Sequence, residues 1–139
     1  MSKKLLMMVS ERYILSREEE TICQAIVHAS ITVHKELGPG LLEKIYELCL
    51  AEELKNLGFH VERQVTYPVH YKNQTFEEGL RLDILVEKSI ICEVKAVELV
   101  NPVWAAQVLS QLKLSHLHIG FLLNFNVPIM KQGIRRFTL

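Results

Sequence analysis

Hydrophobic positions along residues 22–37 recur at mostly helical spacing, after Ser16 and Glu19 and before Gly38-Pro39-Gly40. A serine followed three residues later by a glutamate satisfies free amides at a helix start, and a Gly-Pro-Gly run cannot continue a helix. The pattern predicts a first helix. Over residues 41–57, Leu42, Ile45, Cys49, Leu50, Leu54 and Leu57 recur mostly three and four positions apart, with Gly58 where a cap belongs. This predicts a second helix. The period shortens at Phe59: Val61, Val65, Tyr67, Val69 and Tyr71 alternate with polar residues, and Lys72-Asn73-Gln74 supplies a turn. A pair of antiparallel strands is expected there. Two further strands, over 80–86 and 90–97, flank the polar turn Glu87-Lys88-Ser89 and read as a hairpin.

Asn101-Pro102 marks another helix start, because proline is tolerated in a first turn, and residues 103–115 are rich in alanine, leucine and glutamine. The unbroken apolar run 119–125, with Gly120 near its start and Asn126 and Pro128 at its end, suits a buried central strand. Residues 134–138 add an edge strand. No repeat, low-complexity tract or linker interrupts this ααββββαβ order, so the expected fold is α/β, one sheet with helices packed against it.

With 49% of its 139 residues apolar, the chain can bury a core without disulfide or metal staples. One domain is expected over 1–139, with 1–15 as an N-terminal extension. Sixteen basic residues balance sixteen acidic ones, so a polyanion would have to be held locally and not by a net positive field. Cys23, Cys49 and Cys92 are odd in number and widely spaced within apolar stretches, as reduced core thiols would be. Lys3 and Lys4 precede only five apolar residues, Leu5 to Val9, too few for a signal-peptide core or a membrane span. A cytoplasmic location with no membrane partner is the resulting expectation.

The candidate chemistry lies in the predicted hairpin, where Asp83 stands on one strand and Glu93-Val94-Lys95 on the next. Side chains two apart on a strand share a face, so Glu93 and Lys95 point one way while Cys92 and Val94 point the other. Two carboxylates and an ammonium among apolar residues are costly unless paired or bound to a cation. Magnesium would be satisfied by two carboxylates, a backbone carbonyl such as that of Val94, water and a substrate phosphate. Such a site hydrolyses a phosphodiester by activating water and polarising phosphoryl oxygens, with Lys95 orienting the water or neutralising developing charge. The same three residues also fit an exposed cross-strand ion-pair group of little energetic weight.

Several further motifs then fall in order. Gly40-Leu41-Leu42-Glu43-Lys44-Ile45-Tyr46 follows Val33-His34-Lys35-Glu36-Leu37-Gly38-Pro39, and Gln107 and Gly120-Phe121-Leu122-Leu123-Asn124-Phe125 come after the Asp83 and Glu93-x-Lys95 strands. Across roughly residues 22–137 the sequence resembles the small GxxExxY proteins of the PD-(D/E)XK nuclease superfamily. The resemblance implies a restriction-endonuclease-like core with a central mixed sheet flanked by helices. It also implies Asp83 and Glu93 as ligands of Mg2+ (or Mn2+), Lys95 as the catalytic lysine, and Glu43 as an additional acid from the second helix. Gln107 resembles the glutamine of a QxxxY motif, but the tyrosine position holds Gln111, which keeps a hydrogen-bonding group and loses the phenol.

Tyr46 and Arg81 complete the expected substrate-binding set with Gln111. Tyr46 shares the edge of Glu43 three residues on, with packing on the sheet as its competing role. Arg81 lies two residues before Asp83 and carries a fork suited to phosphate, or to pairing with Glu43 or Glu93. His34, and the basic group Lys131, Arg135 and Arg136, read better as a buried helix histidine and a solvated surface. The expected partner is nucleic acid, DNA ahead of RNA, and the domain's small size leaves a homodimer or a larger partner open. Two rival readings remain: a non-catalytic binding or assembly module on the same fold, and a metal-dependent hydrolase of a non-nucleic phosphate ester.

Overall fold

A computed structural model describes residues 12–139, so the expected short apolar run at Leu5 to Val9 lies outside the described residues. Helix α1 (Arg17–Leu37) begins in the predicted capping box: the Glu19 amide donates to Ser16 Oγ at 3.0 Å and the Ser16 amide to Glu19 Oε1 at 2.8 Å. Part of the expected N-terminal extension packs on the domain, since Tyr13 stacks on His118 with ring centroids 4.2 Å apart and donates its hydroxyl to Glu19. Helix α2 (Glu43–Asn56) starts later than its apolar period, leaving Leu41 and Leu42 exposed in the connecting loop. His34 is indeed a buried helix histidine, held at 2.7 Å by the Val127 carbonyl.

The strands differ from expectation in one respect. Strand β1 (Val61–Tyr71) is followed by a single 13-residue strand β2 (Gln74–Val86) where two were predicted. The observed order is therefore ααβββαβ, followed by a short 3-10 turn (Met130–Gly133) and β5 (Ile134–Thr138). The predicted break is a bulge: the register passes from Tyr67↔Leu80 to Val69↔Phe76 without ending the ladder. Gly79 permits it, because a β-carbon there would collide with Val69.

Strand β3 (Ile90–Lys95), helix α3 (Val103–Ser115) and strand β4 (Ile119–Asn124) complete the fold. The sheet order is β1-β2-β3-β4-β5, antiparallel except for the parallel pair β3 and β4 that α3 connects. A mixed five-stranded sheet thus has α1 and α2 on one face and α3 on the other. Cys92 and Val94 belong to the larger core on the α1 and α2 face, whereas Ile91 joins Val108 and Leu112 beneath α3. Gly120 lets α3 approach β4 closely, since a β-carbon there would press on Val108. The cysteines are free thiols, two buried and one half-buried, and no described helix is long and apolar enough to cross a membrane.

Candidate active site

The site forms where the sheet opens. Pairing between β2 and β3 covers only Val86↔Ile90 to Ile84↔Cys92, and the next rung, Asp83 opposite Glu93, does not close. Strand β3 meanwhile stays paired with β4 through Lys95↔Asn124. At the divergence Asp83 Oδ2 takes the place of a strand carbonyl and accepts the Val94 amide at 2.9 Å.

The distortion continues across β1. Gln64, facing Asp83 between the pairs Arg63↔Ile84 and Val65↔Leu82, has a left-handed φ of 52°. Strand alternation fails there: Leu82 packs under α3 while Ile84, two residues on, packs in the opposite core. For the same reason consecutive residues Arg63 and Gln64 both reach Glu47 of α2, although neighbours on a regular strand face apart.

Glu93 and Lys95 project on the α3 side. Glu93, only 5% exposed, accepts Gln111 Nε2 at 3.1 Å on Oε2 and has Lys95 Nζ 3.7 Å from Oε1. The ammonium also lies 5.3 Å from the Trp104 ring centroid, a cation–π distance. Burial pushes the Glu93 carboxyl up to about 7, the Asp83 charge pushes the same way, and Gln111 and Lys95 oppose. Asp83 is raised chiefly by burial, against the Val94 amide, with the Glu47 charge adding. Two neighbouring acids, Glu93 buried and Asp83 half-buried, leave a deficit of positive charge, which a hard divalent cation would fill.

Asp83 opens on a cleft of about 740 Å³ between α2 and the strands, with Leu41, Leu42, Val94 and Ala96 as apolar lining and Glu43, Lys44, Glu47, Arg63 and Gln64 as polar lining. Among the described residues no group of three or more His, Cys, Asp or Glu side chains is arranged to hold a metal alone. The side chains offer two carboxylates, and the remaining oxygen shell of magnesium would come from water and substrate.

The family model of the PD-(D/E)XK nuclease superfamily matches residues 20–137. The chain belongs to this superfamily. No curated protein and no solved structure gives a significant match. The superfamily assignment agrees with the mixed sheet flanked by helices.

Of the other expected site residues, Gln111 joins the acids, whereas Glu43, Gln107, Arg81 and Tyr46 make no hydrogen bond to them. Glu43 stands exposed in the first turn of α2 at the cleft mouth. Gln111 is buried against Glu93, whereas Gln107, one turn earlier, is exposed and makes no hydrogen bond to Asp83, Glu93 or Lys95. Arg81 is exposed on β2 opposite Thr66 and does not line the cleft. Tyr46 is fully buried, stacks on Phe125 at 4.6 Å, donates its hydroxyl to the Gly38 carbonyl at 2.6 Å and accepts the Leu41 amide at 3.0 Å. It holds the loop that forms the cleft wall, and Gly40 in that loop has a φ of 98° that favours glycine.

Sequence reasoning missed Glu47, Arg63, Gln64 and Trp104. For Glu47 a signal existed: it precedes Leu50, Ala51 and Leu54 by three, four and seven positions, so an acid sits within the buried stripe of α2. For Arg63 and Gln64 no such signal existed, because the turn of the backbone at a glutamine brings them there.

Proposed function

We propose that this protein is a divalent-metal-dependent nuclease that hydrolyses nucleic-acid phosphodiester bonds, DNA ahead of RNA. The convergence of Asp83, Glu93 and Lys95 where β2 leaves β3, at the edge of an open cleft, carries the reading. Asp83 and Glu93 would hold Mg2+ or Mn2+, which when bound supplies Lewis acidity toward a phosphoryl oxygen and makes water more acidic. Lys95, steadied by Glu93 and Trp104, donates through Nζ to the attacking water or to a non-bridging phosphoryl oxygen as negative charge grows. Gln111, in place of the exposed Gln107, orients the Glu93 carboxylate, and Glu43 at the mouth is an accessory acid. Within the superfamily we place the chain with the GxxExxY proteins on the motif from Gly40 to Tyr46, whose glycine and tyrosine shape the cleft loop. Free thiols suit a reducing cytoplasm.

The test compares parent, Asp83→Ala, Lys95→Ala and Gln111→Leu on DNA, RNA and a small phosphodiester, with calorimetric titration of Mg2+ and Mn2+. The parent should cleave nucleic acid only with metal. Asp83→Ala and Lys95→Ala should lose activity by roughly 100-fold or more, and Gln111→Leu should weaken metal binding by about 10–100-fold. Asp83→Ala or Lys95→Ala cleaving as well as the parent would refute the assigned roles.

A further inference from the structure

Arg63 of β1 has one guanidinium edge fixed before any ligand arrives. Its Nε and Nη2 donate to the same Glu47 oxygen at 3.1 and 2.7 Å, and Gln64 Nε2 holds the other oxygen at 2.7 Å. Glu47 is 5% exposed, so this anchor is buried, while the Arg63 side chain retains 28% exposure and lines the same cleft as Asp83. No described residue takes a hydrogen bond from Nη1, which leaves the second edge of the fork available.

The other cations near the cleft are placed differently. Lys95 is engaged by Glu93 and Trp104, Lys44 is an exposed helix-surface lysine, and Arg81 lies outside the lining. A guanidinium held along one edge loses little further freedom when its other edge binds, and its planar geometry matches phosphate oxygens. The left-handed backbone at Gln64 supports the arrangement by turning two successive side chains onto one carboxylate.

We propose that Arg63 is the phosphate-binding residue of the cleft, receiving a non-bridging oxygen of a nucleic-acid strand laid beside the Asp83 and Glu93 pair. The role rests on the nuclease reading of that site and adds to it a substrate contact outside the acid and lysine cluster. A purely structural Arg63 would do no more than neutralise buried Glu47.

Binding of a short labelled DNA oligonucleotide, followed by fluorescence anisotropy across a salt series in EDTA, separates these roles without cleavage. Arg63→Gln should weaken binding about tenfold and reduce the slope of log affinity against log salt by roughly 0.7–0.9 in magnitude. Arg63→Lys, which still offers Glu47 a positive partner, should keep the slope and bind several-fold more weakly because the fork is gone. Thermal melts establish that each variant is folded. Arg63→Gln that is folded and binds like the parent at every salt overturns the proposal. If that variant does not fold, Arg63→Lys with parental affinity overturns it. A parent that binds no DNA also overturns it. Parallel cleavage assays with Mg2+ keep the two readings apart. Arg63-dependent binding without cleavage sinks the nuclease reading and leaves the phosphate site standing, whereas cleavage with parental binding by Arg63→Gln does the reverse.

Discussion

Glu93 is buried beside Asp83 and is easier to protonate, chiefly for that burial and then for the Asp83 charge, whereas the hydrogen bond between the two acids lowers Asp83. A carboxyl raised on folding holds its proton more tightly in the folded chain. Its contribution to stability is therefore complete below the unfolded value and fades as pH rises through the folded value, here about 7 for Glu93. In EDTA, calorimetric melting should show the parent losing stability between about pH 5 and about pH 8, with Glu93→Gln flattening that part of the curve. Mg2+ or Mn2+ at the upper end should restore the parent and do little for the variant. An unchanged parent-minus-variant difference across the range would show that the carboxyl is not perturbed. Glu93 and Lys95 were legible as a pair because strand periodicity converts residue spacing into a shared face, and Asp83 was legible beside them because the short Glu87-Lys88-Ser89 turn sets the two strands side by side. Arg63 was not legible, because its direction depends on the left-handed backbone at Gln64, and glutamine carries no signal for that geometry.

At the scale of elements, the helices were readable where a cap or a stop accompanied the apolar period. The capping box at Ser16 and Glu19 and the Asn101-Pro102 start both mark real helices. The long strand β2 was not readable, because Glu77-Glu78-Gly79 has the composition of a turn and is instead a bulge within one strand. The loop between α1 and α2 owes its form to Tyr46, whose hydroxyl joins Gly38 to Leu41 while its ring lies on Phe125. Tyr46→Phe should keep the ring packing and lose both hydrogen bonds, costing about 1–2 kcal/mol in urea unfolding. Because Leu41 lines the cleft, catalytic activity should fall as well, with the metal affinity of the Asp83 and Glu93 pair retained. A variant with parental stability would show that the hydroxyl contributes no net stability at this position.

For the whole molecule, superfamily membership, balanced charge and an open sheet give one account: a small core whose sheet parts where its acids meet. Neutral composition concealed the local cation Arg63. The Val94 amide has a further consequence. It is held by the Asp83 side chain, whereas β3 and β4 remain joined by an unbroken ladder. Its hydrogen–deuterium exchange is thereby tied to one carboxylate: Asp83→Ala should hasten exchange at Val94 while neighbouring amides in that ladder stay slow. A cation drawing on Asp83 would change the same rate, giving the molecule a single-site clock for occupancy of its own acidic pair.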